Sequence, residues 1–254
     1  MNYNELIINK NLLIIEIGNS RLKVDNGEII QYYDYTFSKE NINETEIIKF
    51  LNNIISQLKP SKIYYSSVNP LIENIIYINF NAKNINNFIS LPKIDFSNIQ
   101  GMGIDRKLGL IAANELYGEN ILTIDCGTAQ TYNLLINNKC LGGFITPGLI
   151  TRLKSLSENT NIPYQNIDDL HYNDELGANT KDAISNGVYF GLLSEIKYFI
   201  NKYSVQYPEL KAVITGGNSL KLYNSLKESE FSLILQPNLV NDGIKVILSK
   251  IYDK

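Results

Sequence analysis

Apolar positions along the chain fall into two patterns, short continuous runs and stretches with helical spacing. In the first third, the continuous runs predict buried strands, which cover residues 12–17, 22–24, 29–33 and 62–67. Asp25-Asn26-Gly27 is a typical turn between two of them. Helical spacing predicts a helix over residues 44–58, with Asn43 as its N-cap and Pro60 after its end. The predicted order β-β-β-α-β is typical of an α/β domain.

The rest of the chain shows a similar succession of elements. Strands are predicted at residues 121–126, 131–136, 139–145, 211–215 and 233–235. Helices are predicted at residues 107–116 and from 180 to about 202. Three more are expected, one that ends at residue 156, one that begins after residue 219 and one that begins after residue 237. Residues 71–100 are less regular and favour a short helix, a strand near Phe88 and a loop around Pro92. No flexible linker is visible, so we expect two halves that meet near residues 106–118.

Two of the predicted strands end in the same way. An acid closes the apolar run, a glycine follows two residues later, and small polar residues come next, in Glu16-Ile17-Gly18-Asn19-Ser20 and in Asp125-Cys126-Gly127-Thr128. A carboxylate can hold a cation, while backbone N–H groups and hydroxyls can donate to phosphate oxygens. One such stretch alone fits a strand-end turn equally well. The repetition favours a duplicated architecture, in which two similar α/β halves each offer a phosphate-binding hairpin to one cleft.

Composition excludes several classes of function. The 254 residues have a formal net charge of -3 and no basic block, so we expect no nucleic-acid partner. No apolar run approaches the roughly 20 residues of a membrane span, and Met1–Glu5 lacks the basic start of a signal peptide, so we expect a cytoplasmic protein. With two cysteines that have no metal spacing, Cys126 and Cys140, and one histidine, His171, the chemistry must come from carboxylates, hydroxyls, backbone amides and bound cations.

In their order and spacing, seven short stretches resemble the type III pantothenate kinases, a family of the ASKHA superfamily of acetate and sugar kinases and actin. The stretches are Glu16–Lys23, Ser66–Pro70, Gly103–Arg106, Asp125–Thr131, Gly142–Leu149, Asn179-Thr180 and Thr215–Gly217. The resemblance implies two ribonuclease-H-like α/β domains with mixed sheets and an interdomain cleft for ATP, which we expect at residues 1–112 and 113–254. It also implies that pantothenate is phosphorylated in the first step of coenzyme A synthesis, by a homodimer that uses ATP, Mg²⁺ and K⁺ or NH₄⁺.

For the substrate alcohol, the resemblance implies that Asp105 is the general base. Arg106 would hold the carboxylate of pantothenate, and Gly103 and Ile104 would line the site. Thr180, from the partner subunit, and Phe96, where relatives carry a tyrosine, are further expected contacts. From the residues alone, the favoured interpretations are a helix N-cap for Asp105, a surface cation for Arg106 and a helix cap for Thr180.

For the nucleotide, the resemblance implies contacts from two hairpins and one glycine pair. The residues are Glu16, Ile17, Gly18, Asn19, Ser20, Arg21, Leu22, Lys23, Thr128, Gly216 and Gly217. Asp125 is expected to help bind the monovalent cation, and Glu16 to organise Mg²⁺ directly or through water. Lys23 could offset phosphate charge or be a solvated strand lysine, and Gly216-Gly217 could be a plain strand–helix turn. A Gly-x-x-x-x-Gly-Lys-Ser/Thr loop is absent from the sequence, which disfavours a P-loop kinase.

One departure from the family pattern matters for activity. Glu16 stands where the family has aspartate, and Mg²⁺ tolerates an added methylene poorly because it demands near-octahedral geometry. A non-catalytic regulator on the same fold is therefore an alternative to an active pantothenate kinase. A kinase of another small alcohol is a further alternative.

Overall fold

The computed structural model describes residues 3–35, 42–166, 171–173, 176–227 and 232–252. The chain divides into two compact units, one made of residues up to Leu116 and again from Leu239 onward, the other of Tyr117–Asn238. The expected division at residues 112 and 113 differs in two ways. The boundary lies four residues later, and the C-terminal segment belongs to the first unit rather than the second.

The first unit is built on a five-stranded mixed sheet in the order β3-β2-β1-β4-β5. The strands are β1 (Leu12–Ile17), β2 (Arg21–Asp25), β3 (Ile30–Asp34), β4 (Lys62–Ser67) and β5 (Ala82–Asn84). β1 pairs antiparallel with β2 and parallel with β4. The helices are α1 (Tyr3–Asn9), α2 (Glu44–Leu58), α3 (Pro70–Asn79) and α4 (Ile104–Tyr117), with a 3₁₀ turn at Ile85–Phe88.

The second unit repeats this topology. Its sheet has the order β10-β9-β6-β7-β8, in which β6 pairs antiparallel with β7 and parallel with β9, as β1 pairs with β2 and β4. The strands are β6 (Ile121–Cys126), β7 (Ala129–Ile136), β8 (Lys139–Pro147), β9 (Lys211–Thr215) and β10 (Leu233–Leu235). The helices are α5 (Leu149–Asn159), α6 (Thr180–Gln206) and α7 (Ser219–Leu226). The expectation of two ribonuclease-H-like halves with mixed sheets is confirmed.

Each sheet is covered by apolar helix faces. In the first unit, alternate β1 residues point to opposite faces, so Leu13 and Ile15 pack with α2 and α3, whereas Leu12 and Ile14 pack with α1 and α4. In the second unit, α6 and α7 cover the face that carries Leu122, Ile124 and Cys126. The polar side chains discussed below emerge where β1 and β6 end.

The last helix, α8 (Leu239–Tyr252), packs in the first unit on the face that α1 and α4 share. A buried ion pair fixes it, because Lys245 Nζ lies 2.7 Å from Asp25 Oδ2 and Asn241 donates to the same carboxylate. The helices α4 and α8 also approach closely, since a Cβ at Gly243 would lie 2.2 Å from the carbonyl oxygen of Leu108. Spacing along the sequence does not reveal such long-range contacts, which is why the domain assignment of this helix was wrong.

Most predicted elements agree with the structure. The bounds of α2 and β4 and the capping of α2 by Asn43 are as predicted, with Asn43 accepting from the N–H of Glu46. The strand expected near Phe88 is wrong, because the strand is β5 and Phe88 ends the 3₁₀ turn, whose N-cap is Asn84. The helix α1 was not predicted. Of the helices in the described ranges, none has the length and apolar character needed to cross a membrane.

Candidate active site

The first hairpin joins β1 to β2 through the short turn Gly18–Ser20. The N–H of Gly18 donates to the carbonyl of Arg21 at 2.9 Å, which closes the turn. Val68 N–H donates to the carbonyl of Ile17 at 3.0 Å, and the hydroxyl of Tyr35 donates to the carbonyl of Gly18. The turn is therefore held by main-chain groups on one side and a tyrosine on the other, while Asn19 and Ser20 are exposed.

Glu16 and Lys23 lie opposite each other at the base of this hairpin, as register partners of β1 and β2. Lys23 Nζ lies 3.1 Å from each carboxylate oxygen of Glu16. Both side chains are mostly buried, with 16% of Lys23 and 11% of Glu16 exposed. Solvent screens such a pair less than it screens a surface pair, so the contact is a real restraint on both side chains.

The other predicted nucleotide contacts on this hairpin divide by side-chain direction. Ile17 and Leu22 are buried in the core, so only their main-chain groups face the hairpin surface. Arg21 instead pairs with Asp34 across the β2–β3 ladder and lies 5.2 Å from the ring centroid of Tyr32. Its role in binding nucleotide stays a prediction.

The second hairpin joins β6 to β7 through Gly127-Thr128, and its turn is tighter than the first. Gly127 N–H donates to the carbonyl of Ala129 at 3.2 Å. The carbonyl of Thr128 accepts from Gly148 N–H at 3.0 Å and from the hydroxyl of Thr151 at 2.6 Å. The start of α5 therefore holds the loop that carries Thr128. A Cβ at Gly148 would lie 2.1 Å from the carbonyl oxygen of Gly127, so only glycine fits there.

Asp125 lies on this hairpin beside the turn that follows β9. Gly216 has a φ of +92°, and a Cβ there would lie 2.3 Å from Asp125 Oδ1 and 2.9 Å from the backbone of Cys126. Asn218 N–H donates to the carbonyl of Cys126 at 3.0 Å. The Gly216-Gly217 turn thus brings main-chain groups directly against the Asp125 carboxylate. Burial raises the pKa of the Cys126 thiol, which makes that side chain an unreactive core group.

The predicted base lies in the first turn of α4, in the first unit. Arg106 N–H donates to Asp105 Oδ1 at 2.7 Å, and a Cβ at Gly103 would lie 2.6 Å from the same oxygen. Gly103 therefore leaves the space that this carboxylate occupies. Burial raises the pKa of Asp105 above its usual value, and the hydrogen bond and charge of Arg106 offset part of that rise. A partly desolvated carboxylate in a fixed position is suited to accept a proton.

The remaining predicted substrate contacts occupy different places. Phe96 lies near the start of α4, with Lys107 Nζ 5.7 Å from its ring centroid. Ile104 is partly buried and packs in the core that Phe96 also borders. Thr180 is the first residue of α6, after the N-cap Asn179, and is exposed in the second unit. It lines an apolar groove of about 620 Å³ together with residues that include Leu156, Ile184 and Val188.

Several residues in these contacts were not assigned to the site from the sequence. Tyr35, Asn218 and Thr151 each hold a loop of the candidate site through a hydrogen bond. Asn218 follows a glycine pair at the start of α7, which is a recognisable local signal. Tyr35 contacts a loop that is 17 residues away in sequence, and Thr151 contacts one that is 23 residues away. No local sequence pattern predicts such contacts.

Among the described residues, no group of three or more His, Cys, Asp or Glu side chains could hold a metal ion by itself. The Asp125 carboxylate lies beside main-chain groups, an arrangement that is suitable for one of the ligands of a monovalent cation. A divalent ion would need phosphate oxygens as additional ligands, which fits a cation that arrives with a nucleotide.

Duplicated mixed sheets, with an acid-tipped hairpin in each, define an ASKHA-type fold. The same fold occurs in a Sinorhizobium meliloti protein assigned as a 2-dehydro-3-deoxygalactonokinase, with 11% identity, a TM-score of 0.52 and coverage of 96% of this chain and 97% of that one. A Campylobacter jejuni protein assigned to the Baf family of transcriptional activators is more similar, with 25% identity, a TM-score of 0.66 and coverage of 95% and 100%.

Sequence comparison identifies the family. The family model for type III pantothenate kinase matches residues 12–202. A type III pantothenate kinase from Christiangramia forsetii is 33% identical over 195 residues, which cover 74% of this chain and 78% of that protein. The chain belongs to the type III pantothenate kinase family.

Proposed function

We propose that the protein transfers the γ-phosphate of ATP to the alcohol of pantothenate, giving 4′-phosphopantothenate and ADP in the first step of coenzyme A synthesis. The observation that carries the proposal is the Asp105 carboxylate, held by the N–H of Arg106 and accommodated by Gly103 at the start of α4. Family membership supports the substrate and gives no support to the non-catalytic alternative.

The residues divide the reaction between them. Asp105 accepts the proton of the pantothenate alcohol as that oxygen bonds to the γ-phosphorus, and the bond to the β-bridging oxygen breaks to release ADP. Arg106 holds the carboxylate of pantothenate, with Gly103, Ile104 and Phe96 around it. Asn19 and Ser20 in the first turn, the main-chain N–H groups of Gly216 and Gly217, Thr128 and Lys23 hold phosphate oxygens. Mg²⁺ and a monovalent cation, when bound, offset phosphate charge.

The test is turnover by purified protein with ATP, pantothenate, Mg²⁺ and K⁺. Asp105→Asn should lower kcat by at least about a thousandfold while ATP binding remains, because the amide cannot accept the proton. Asp95→Asn, in an exposed loop of the same unit, is the matched control and should retain full activity. Turnover that persists in Asp105→Asn excludes this residue as the base. Turnover only with another alcohol in a substrate panel identifies a different kinase of the fold.

The pH profile gives a second test of the same base. Asp105 works only when it is deprotonated, and burial raises its pKa above the usual 3.8. Activity should therefore fall as the pH drops through this raised value, and the acid limb of kcat/KM should lie above pH 3.8. An acid limb at or below that value contradicts the assignment.

We also propose that Asp125 contributes to a site for K⁺ or NH₄⁺. Asp125→Asn should raise the K⁺ concentration needed for half-maximal activity, and Na⁺ serves as the control cation. Family resemblance suggests that Glu16 organises Mg²⁺ directly or through water, but both of its carboxylate oxygens contact Lys23 Nζ at 3.1 Å, which favours a different role for this residue.

A homodimer is proposed on the same basis, with Thr180 contributing to the pantothenate pocket of the partner subunit. Thr180 is exposed and lines an apolar groove, which supports this placement. Light scattering should return twice the mass of one chain. A monomer at assay concentration contradicts a shared pocket.

A further inference from the structure

The Glu16–Lys23 contact fixes the position of the one lysine that the first hairpin could offer to phosphate. The two residues are direct register partners on antiparallel strands, where Cβ atoms lie about 5 Å apart. A glutamate reaches far enough across the ladder for both of its oxygens to lie 3.1 Å from one ammonium nitrogen. The pair is mostly buried, so the lysine has few other orientations available.

This arrangement bears on a direct contact between Glu16 and Mg²⁺. Mg²⁺ needs carboxylate oxygens at about 2.0–2.1 Å in near-octahedral geometry. Both carboxylate oxygens of Glu16 already contact the ammonium group of Lys23. A metal ion on the same carboxylate would have to displace Lys23 or lie close to its positive charge.

We infer that Glu16 acts on ATP through Lys23, as a positioning residue that holds the ammonium group for the phosphates. This inference rests on the proposed kinase function. Lys23 follows the Gly18–Ser20 turn, and an ammonium on a flexible stem is a point charge that suits phosphate but loses rotamer freedom when it binds. Glu16 restrains that freedom before ATP arrives, which leaves less ordering to be done on binding.

The test is a double-mutant cycle on the dissociation constant of ATP, measured by calorimetry in EDTA and again with Mg²⁺. Lys23→Met removes the charge and keeps the stem, so ATP should bind about tenfold more weakly. Glu16→Gln should weaken binding about fivefold alone, and by less than twofold when Lys23→Met is already present. The same pattern should hold with and without metal, because the effect passes through the lysine.

Three results overturn the inference. One is a Glu16→Gln effect that appears only with Mg²⁺ and persists in the Lys23→Met background, which identifies a metal ligand. Tighter ATP binding in Glu16→Gln is another, since it means that the carboxylate only cancels the lysine's charge. The third is tighter Mg²⁺-ATP binding or faster turnover in Glu16→Asp, whose carboxylate withdraws from Lys23 by about 1 Å.

The controls separate this inference from the proposed function and from simple loss of structure. Glu115 and Lys250 form an exposed pair of the same composition in the same unit, 3.0 Å apart. Glu115→Gln and Lys250→Met should leave ATP binding unchanged. Thermal melting of every variant shows that it is folded. If the unsubstituted protein binds ATP but phosphorylates no pantothenate, the proposed function fails, and the cycle on ATP binding still decides the role of Glu16.

Discussion

The two hairpins have the same place in the same topology, yet they control their carboxylates differently. Glu16 is held by charge, through an ammonium group on the neighbouring strand. Asp125 is closely packed, because the turn at Gly216 leaves no room for a Cβ beside its carboxylate. A duplicated fold therefore need not preserve the physical means by which each copy fixes its acid.

Each means predicts a different pattern of sensitivity. A hairpin held by charge should tolerate a Cβ added to its turn glycine, and it should lose ATP affinity when its lysine is removed. A Cβ at Gly18 would meet only the carbonyl oxygen of Arg21, at 3.2 Å, which a slight shift relieves. A hairpin held by packing should respond most to its glycines and to the groups that press on it from α5 and α7.

The largest effect is expected for Gly216→Ala. The new Cβ would lie 2.3 Å from Asp125 Oδ1, at a φ of +92° that alanine adopts only with strain. We expect a loss of about 3 kcal/mol in the free energy of unfolding and a loss of K⁺ activation, measured by denaturant titration and by assay. A Cβ at Gly217 meets nothing within 4 Å, so Gly217→Ala is the matched control for the free energy of unfolding. Equal effects of the two substitutions mean that packing does not hold Asp125.

The contrast also shows what the sequence could reveal. The strand ends, the acids and the glycines are local patterns, so both hairpins were predicted from the chain alone. The helix α2 was predicted to the residue because Asn43 and Pro60 mark its ends. Asp105 and Arg106 were assigned to the site through family resemblance, since an aspartate at a helix start by itself predicts a cap.

The groups that hold the hairpins could not be predicted in the same way. The contacts of Tyr35 with Gly18 and of Thr151 with Thr128 join distant parts of the chain. The return of α8 to the first unit brings together Lys245 and Asp25, a buried pair whose members are separated by most of the sequence. Such contacts form only in the assembled fold, and neither the hydrophobic periodicity nor the composition of the sequence predicts them.

A second, smaller effect is expected from the network behind the second hairpin. Arg152 on α5 lies 2.5 Å from Glu195 Oε2, and Glu195 Oε1 also accepts from the hydroxyls of Tyr132 and Thr146. Arg152→Met leaves that partly buried carboxylate without its cation. We expect a loss of about 2 kcal/mol in unfolding free energy and a several-fold rise in KM for ATP.

Arg152→Lys is the control for this network, because it keeps the charge but cannot reproduce the bond from Nε to the Pro147 carbonyl. It should recover part of the stability. A loss of stability in Arg152→Met with no change in KM for ATP would show that the network does not position the second hairpin.

A third effect isolates one hydrogen bond to the second hairpin. Thr151→Val removes the donor to the Thr128 carbonyl and keeps the volume of the side chain. We expect a loss of about 1 kcal/mol in the free energy of unfolding and a two- to threefold rise in KM for ATP. Ser157→Ala, on the same helix, removes a hydrogen bond to the carbonyl of Lys154 within that helix and should change neither quantity measurably.

The smallest effect is expected on the first hairpin, at an ion pair that is more exposed than Glu16–Lys23. Arg21 and Asp34 leave 44% and 64% of their side chains exposed, so solvent screens their attraction. Asp34→Asn should change the free energy of unfolding by less than about 0.5 kcal/mol, and less still at high salt. It should leave ATP affinity unchanged, because the guanidinium that it releases lies over Tyr32, toward β3. If ATP instead binds more tightly to Asp34→Asn, Arg21 reaches the phosphates once it is freed, and the charge control of this hairpin extends beyond Lys23.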